Sequence, residues 1–353
     1  MRQWGNSRAL SHYLKEDYII KAKVKFNQEL QEVYKNRSDA LKWLLVVSFG
    51  YTGFKNAPLS SPNIFEQINK WGRIALIQTK DIFEEQGFDV LHIYIDSIFV
   101  KREEPITDEI IDSLLIKVKK ETGLPISLEC IYKWVVFLPS KVNSRYVVPN
   151  SYFGVFQNGD IKARGIQCRR GDKPPFVKNS QIKIIEMLAE AKDLSCIRET
   201  FPQIFNFIMK QVEKIKQGQI PIEDLIITQR LSKNIEDYIM PSHVAKAGIQ
   251  LKSAGVDIRA GSKIKFIYIK GNPRVLPWDL VPNSKGYQID IEHYISLFKD
   301  AVKTVLIPFS IEEDFIENLI KLIPAKQLSF IPINERLRKF KISSSEDSNY
   351  YLY

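Results

Sequence analysis

The sequence predicts an α+β fold, with helical and antiparallel-strand segments in separate stretches of the chain. Apolar residues recur at helical spacing over residues 24–49 and 63–86, with breaks at Gly50-Tyr51-Thr52-Gly53 and at Gly87. A β-rich stretch follows, and the Asn158-Gly159 dipeptide marks a hairpin turn inside it. From residue 181 to about 238 the apolar spacing is helical again, which indicates a separate helical domain.

The elements between these landmarks follow from the same periodicities and from their end signals. Residues 90–100 form a strand or a tight hairpin, and the helix at 107–122 ends at Gly123-Leu124-Pro125. Further strands are predicted at residues 127–138, 146–156, 160–168 and 263–269. Further helices are predicted at residues 182–192, 197–218, 222–238 and 291–306.

Charge and cysteine content limit the class of protein. The 353 residues carry 51 lysines and arginines against 41 acidic residues, a net charge of +10 that suggests a polyanionic partner. Cys130, Cys168 and Cys196 form no C-x-x-C pair, so neither a zinc site nor a disulfide framework is indicated. The apolar runs at 43–51 and 90–100 are too short to span a bilayer, and the first residues lack a signal-peptide core. We expect a soluble, cytoplasmic protein with no membrane partner.

Asp96 is the most unusual acidic residue, because it lies within the otherwise apolar run at residues 90–100. Burying a carboxylate is costly unless it is paired, hydrogen-bonded or bound to a metal. A hairpin turn at Asp96-Ser97, which is a common arrangement, also explains the residue. The pattern alone leaves a turn and a functional carboxylate both open.

Two groups of basic residues are candidates for binding phosphates. Arg37 and Lys42 lie on the first predicted helix, where they form either a solvated face or a phosphate-binding pair. Residues 160–183, called here the basic stripe, hold seven lysines and arginines against two aspartates, and Tyr152, Phe153 and Phe156 precede them. Basic residues beside aromatics suit a nucleic-acid backbone, but a surface hairpin has the same composition.

Two motifs resemble those of the family B DNA polymerases. Residues 40–53 resemble the fingers motif K-x-x-x-N-S-x-Y-G: Lys42 matches the lysine, Phe49 stands for the tyrosine and Gly50 matches the glycine. The run at 90–100 resembles the palm motif Y-G-D-T-D-S, with Asp96 as its second aspartate and Tyr94 in place of the first.

Later segments extend the resemblance over about residues 26–310. Residues 152–172 resemble the motif between palm and thumb, and the predicted helical stretch 225–251 resembles the thumb. The sequence of residues 42–56 is most similar to diverged archaeal, especially crenarchaeal, paralogues of the DNA polymerase 2 type. The family's exonuclease domain and its upstream palm motif D-x-x-S-L-Y-P are not found, so the chain resembles the C-terminal half of such a polymerase.

The resemblance implies a division into partial fingers helices (1–47), a partial palm (48–175), a thumb (176–330) and a flexible tail (331–353). It also implies template-dependent nucleotidyl transfer from dNTPs, with a DNA primer–template and Mg²⁺ as partners. Asp96 is then the catalytic and metal-binding carboxylate. The expected nucleotide-binding residues are Lys42, Arg37, Phe49 and Gly50. The expected DNA-binding residues are Tyr152, Lys162, Arg164, Arg169, Arg170 and Lys173.

The resemblance also implies an incomplete metal site. Two-metal catalysis needs several carboxylates, and a tyrosine with a pKa of about 10 is a poor magnesium ligand at neutral pH. A catalytically inactive DNA-binding module is therefore one alternative. Another is one subunit of a split polymerase, whose second chain carries the exonuclease and the upstream palm motif. Residues 327–333 are only faintly similar to clamp-binding peptides, so a sliding clamp is not an expected partner.

Overall fold

The computed structural model describes residues 31–140, 143 and 146–321. The backbone divides into two compact units, residues 1–127 and 128–353. The predicted boundaries at 47, 175 and 330 do not coincide with this division and stay predictions. The start of the first predicted helix, the tail from 331 and the segment 327–333 lie outside the described residues.

Unit 1 is a helical layer with one β-hairpin. Its described elements are α1 (Gln31–Gly53), α2 (Pro62–Glu85), β1 (Asp89–Tyr94), β2 (Ser97–Lys101) and α3 (Asp108–Thr122). A small core of Ile82, Phe83, Phe88, Leu114 and Val118 joins α2, the hairpin and α3. Helix α1 ends at Gly53, the last residue of the predicted break, after continuing through Gly50, which has an ordinary helical backbone.

Unit 2 holds two small antiparallel sheets among helices. Its strands are β3 (Tyr132–Pro139), β4 (Val147–Phe156), β5 (Ile161–Arg164), β6 (Ile227–Arg230), β7 (Lys263–Tyr268) and β8 (Val275–Pro277). Its helices are α4 (Pro175–Ala189), α5 (Phe201–Lys216), α6 (His243–Ser253), α7 (Ile291–Leu306) and α8 (Glu313–Lys321). The strand orders are β3-β4-β5 and β6-β7-β8. The combination confirms the α+β prediction.

The helical prediction for residues 222–238 is wrong. This segment forms a 3-10 turn at Ile222–Leu225, strand β6, and a second 3-10 turn at Ile235–Asp237. Its apolar residues have helical spacing, but Ile227 is paired with Phe266 on β7, and both side chains are buried. A pairing partner nearly forty residues away therefore overrides the local pattern.

The strand predicted at 160–168 is shorter in the structure, since β5 ends at Arg164 and a 3-10 turn follows at Gln167–Arg169. Gly165 causes the change of direction, with a φ of 66°. A β-carbon at this position would lie 2.0 Å from the carbonyl oxygen of Asn150. Only glycine satisfies both conditions.

The core of unit 2 is continuous from the first sheet to the last helices. Its largest fully buried side chains include Trp134, Phe153, Phe205, Phe266 and Phe298. Trp134 and Phe153 pack edge to face with their ring centroids 6.2 Å apart. In the described part of the chain, no helix is long and apolar enough to cross a bilayer.

Candidate functional site

Asp96 lies in the two-residue turn of the β1–β2 hairpin. Tyr94 and Ser97 are the last paired residues, and the Ser97 hydroxyl donates a 3.0 Å hydrogen bond to the Tyr94 carbonyl. The Asp96 side chain is exposed and makes no ion pair with another described residue. The predicted hairpin is thus confirmed, and the carboxylate is presented to solvent rather than buried.

The backbone beside Asp96 is strained. Ile95 has a φ of 54° and its side chain is 71% exposed. A turn that needs positive φ at its first central residue normally has glycine there. Holding a β-branched residue in this left-handed conformation costs about 1–2 kcal/mol of stability. Strain of this kind is concentrated at functional sites, where surrounding structure holds it. The turn therefore combines an exposed carboxylate with an unfavourable backbone conformation.

The described residues do not fit a two-magnesium centre. Magnesium prefers hard oxygen ligands, and bridging two ions takes more than one carboxylate. No group of three or more His, Cys, Asp or Glu residues in the described ranges could hold a metal ion. Tyr94, two residues before Asp96 in the sequence, is a phenol and not a second carboxylate.

Helix α1 presents the predicted nucleotide-binding residues. Lys42 and Phe49 are seven residues apart, close to two turns, so they share one side of the helix. Arg37 lies about 140° around the axis from Lys42. Both basic side chains are exposed and make no ion pair with another described residue. The Phe49 ring stacks on Phe65 of α2 with centroids 4.9 Å apart.

Gly50 borders open space on α1. A β-carbon built on it meets no atom within 4 Å, and its φ is not in the left-handed region. Neither backbone geometry nor packing within the described residues requires glycine here. A ligand that approaches the helix closely is one reason for a glycine in such a position.

The basic stripe is partly neutralised by neighbouring carboxylates. Lys162 forms a 2.5 Å ion pair with Glu129, and Arg170 donates two hydrogen bonds, of 2.7 and 2.9 Å, to Asp172. The hydrogen bond from Arg170 is the main cause that lowers the pKa of the Asp172 carboxyl. The basic groups of the stripe that make no described ion pair are those of Arg164, Arg169, Lys173 and Lys178.

A buried glutamine holds the turn that carries Arg169 and Arg170. Gln181 on α4 is fully buried and accepts a 2.7 Å hydrogen bond from the Cys168 N–H. Its amide nitrogen donates to the Ala301 carbonyl on α7 at 2.9 Å. A buried side-chain amide whose oxygen and nitrogen are both hydrogen-bonded holds the segments it joins in one arrangement. The arginine pair therefore projects from a rigid turn.

Tyr152 is buried, unlike the other predicted DNA-binding residues. Its side chain is 5% exposed and lies beside Phe137, with the ring centroids 5.8 Å apart. It stands directly opposite Arg164 in the β4–β5 ladder. In this structure Tyr152 supports the strand that presents Arg164.

Sequence reasoning missed two clusters in unit 2. In the first, Tyr268 lies between two histidines: its hydroxyl is 3.3 Å from His243 Nδ1, and the centroid of its ring is 3.8 Å from that of His293. Burial lowers the pKa of both histidines. Nearby, Asp290 caps α7 and accepts a 2.8 Å hydrogen bond from Arg274. No local motif marks this cluster, because its members come from four separate segments.

The second missed cluster consists of basic residues on β6 and β7. Lys263 and Lys265 alternate with the buried Ile264 and Phe266, so they face away from the core. The period of two was visible in the sequence, although their pairing with β6 was not. Arg230 on β6 is directly opposite Lys263.

Comparison with known proteins gives one consistent family. The family model described as DNA polymerase family B matches residues 7–308. DNA polymerase 1 of Sulfolobus acidocaldarius is 28% identical over 309 residues, which cover 86% of this chain and 34% of that relative. DNA polymerase 2 of Saccharolobus solfataricus is 32% identical over 190 residues, covering 53% of this chain and 28% of its own length.

A solved structure shows the same fold. The family B DNA polymerase from the hyperthermophilic archaeon Pyrobaculum calidifontis matches with a TM-score of 0.55 and 21% identity, over 84% of this chain and 37% of that one. The chain therefore spans about a third of the length of the relatives it matches.

Proposed function

This chain belongs to DNA polymerase family B, and from that premise we propose that it acts in template-directed synthesis of DNA from dNTPs. The observation that carries the proposal is the turn of the β1–β2 hairpin, where Asp96 is exposed beside the strained Ile95. By resemblance, this turn is where the family's palm motif holds a metal-binding aspartate. Asp96 is the catalytic carboxylate of the proposal.

The chain supplies only part of the catalytic centre in this proposal. Asp96 is one ligand, Tyr94 takes the place of another, and the described residues offer no metal-binding group of three. Synthesis then depends on carboxylates contributed from outside the described residues. The same observation favours a second candidate function, a DNA-binding part of a polymerase without activity of its own.

Lys42 and Phe49 hold the incoming nucleotide in this account. A lysine ammonium on an exposed helix face stabilises triphosphate charge, and the neighbouring aromatic ring supplies an apolar surface for the nucleoside. Arg37 lies on another side of α1, so it does not contact the same phosphate. It adds to the positive electrostatic potential around the helix.

The Lys42 assignment is tested with a lysine control on the same helix. Lys42→Ala should weaken binding of a fluorescently labelled dNTP about tenfold or more, because it removes a direct charge contact. Lys35→Ala removes another exposed lysine from α1 and should change that affinity less than twofold. Equal effects of the two variants would show that Lys42 acts only through net charge.

Arg164, Arg169 and Lys173 bind the duplex backbone in this account, because their charges are not paired with described carboxylates. Phosphate contacts position a duplex without reading its sequence. Binding of a blunt 20-base-pair duplex, followed by fluorescence anisotropy, should be similar for unrelated sequences and should weaken steeply with salt. Binding that was insensitive to salt would contradict a backbone interface.

A further inference from the structure

Arg169 is held in place by the backbone of its turn rather than by a partner of its side chain. Its exposed guanidinium makes no ion pair with another described residue, whereas Arg170 is paired with Asp172. The Arg169 N–H donates a 3.0 Å hydrogen bond to the carbonyl of Ile166, whose side chain is buried. The place of this free charge therefore depends on how the turn at Gln167–Arg169 is anchored.

Two glutamines anchor this turn to α7. The Gln181 amide nitrogen donates to the Ala301 carbonyl and, at 2.8 Å, to the side-chain oxygen of Gln167. Gln167 in turn donates a 2.8 Å hydrogen bond to the Thr304 hydroxyl. The orientation of the Gln181 amide is fixed by its partners, because the Cys168 N–H can only donate and the Ala301 carbonyl can only accept. A continuous set of hydrogen bonds thus runs from the turn to α7.

Helix α7 is a fixed base for these anchors. Its Phe298 and Val302 side chains are fully buried. The Phe298 ring lies beside Phe176 of α4, with the ring centroids 5.6 Å apart. On the same turn of α7, Lys303 forms a 2.9 Å ion pair with Glu317 of α8. The turn at Gln167–Arg169 therefore cannot shift without breaking hydrogen bonds or moving a packed helix.

The network defines one arrangement more than it adds stability. The hydrogen bonds of a buried amide replace bonds to water, so their net contribution to folding is small. An apolar side chain of similar size at position 181 would need no hydrogen-bond partners. What the amide of Gln181 supplies is a single allowed arrangement of the three segments that it joins. This favours a role in placing the turn accurately.

We propose that Gln181, acting with Gln167, is a positioning residue for the contact between Arg169 and the DNA backbone. Neither glutamine touches the duplex. The network holds the Arg169 main chain at one distance from the phosphate, so the contact forms with little further loss of conformational freedom. The inference rests on the proposed function, which takes Arg169 as a phosphate contact.

The proposal is tested by measuring the contribution of Arg169 with and without the network. In a salt series with the 20-base-pair duplex, Arg169→Gln should lower the slope of log affinity against log salt by about 0.9 in the otherwise wild-type chain. Gln181→Glu keeps the size of the side chain and the acceptor for the Cys168 N–H, but at about pH 8 its carboxylate has no proton to donate. In that background, Arg169→Gln should lower the slope by less than about 0.4, because two coupled residues do not act additively.

Gln250→Glu is the matched control. Gln250 on α6 is half-buried and donates hydrogen bonds of 3.2 and 3.0 Å to the carbonyls of Lys246 and Val275. The substitution removes the same kind of hydrogen bonds at a site that does not hold the turn, so Arg169→Gln should keep its full effect of about 0.9. A full effect in the Gln181→Glu background as well, or a reduced effect in both backgrounds, would overturn the proposal.

A change of pH gives a readout that general damage to the fold does not produce. Burial raises the pKa of a carboxyl, so the group introduced by Gln181→Glu should take up a proton between about pH 8 and pH 5.5. The protonated group has one O–H donor and restores part of the network. The contribution of Arg169 should then return towards the value of the wild-type chain at the same pH. A contribution that stays low at both pH values, with unchanged circular dichroism, would contradict positioning through the amide.

The same measurements separate this inference from the proposed function. If the wild-type chain does not bind the duplex, the proposed function fails. If it binds, and the effects of Arg169→Gln and Gln181→Glu are additive, only the positioning role fails.

Thr304→Val is a milder variant for the case in which circular dichroism shows Gln181→Glu to be unfolded. It removes the hydroxyl that accepts from Gln167 and leaves the hydrogen bonds of Gln181 intact. Arg169→Gln should then lower the slope by about half of its wild-type effect, and a full effect would overturn the proposal.

Discussion

Gly50 gives a prediction in which stability and function change in opposite directions. Gly50→Ala places a methyl group in open space on α1, with no atom within 4 Å and no unusual φ. Alanine is favoured over glycine in a helix interior by about 1 kcal/mol, and Gly50 lies three residues before the helix end, so we expect about 0.5–1 kcal/mol of added stability. If a nucleotide lies against this surface, the same methyl group occupies part of its space.

The matched control is Gly72→Ala on α2. Gly72 is also an exposed helical glycine, and a β-carbon added to it would meet no atom within 4 Å. Both variants should raise the urea midpoint of unit 1 by a similar amount. Only Gly50→Ala should weaken binding of the labelled dNTP, by tenfold or more, which corresponds to about 1.4 kcal/mol.

Two results would refute this reasoning. A destabilised Gly50→Ala would show that the space beside Gly50 is filled. Two variants that are both stabilised, with equal dNTP affinity, would show that the nucleotide does not approach Gly50.

Three further predictions concern charge, strain and pH. Arg169→Gln should reduce the salt slope of duplex binding by about 0.9, since it removes one phosphate contact; an unchanged slope would remove Arg169 from the interface. Ile95→Gly should raise the free energy of unfolding of unit 1 by about 1 kcal/mol in urea, because glycine accepts the left-handed conformation; a loss of stability would show that the Ile95 side chain packs usefully. Burial lowers the pKa of His293, so the folded state binds fewer protons than the unfolded chain, and stability should fall as the pH drops below about 6.5. His293→Phe keeps a ring in contact with Tyr268 and should lessen the fall in urea midpoint between pH 7 and 5. An equal fall in the variant would show that other groups, such as His243, cause the pH dependence.

Local signals predicted much of the fold. The helix Ile291–Leu306 and the turn at Asn158-Gly159 were both found from periodicity and turn chemistry. The segment at 222–238 was missed because its secondary structure is decided by pairing with β7. Strand pairing between distant residues leaves almost no trace in a local window.

The same holds for the candidate site: its local features could be predicted from the sequence, and its contacts between distant residues could not. The exposed position of Asp96 follows from a short apolar run with a polar turn, and the basic stripe follows from composition. The ion pair between Lys162 and Glu129 joins residues 33 positions apart, and no spacing rule predicts it. The face formed by Arg230 and Lys263 was hidden for the same reason.

The most direct test of the proposed function is primer extension with Mg²⁺ by the chain alone, with DNA binding measured in the same samples. We predict salt-sensitive binding of the primer–template, little or no extension by the wild-type chain, and none by Asp96→Asn at equal DNA affinity. Rapid extension that was unchanged in Asp96→Asn would contradict the assignment of Asp96, and failure to bind DNA would contradict the proposed function.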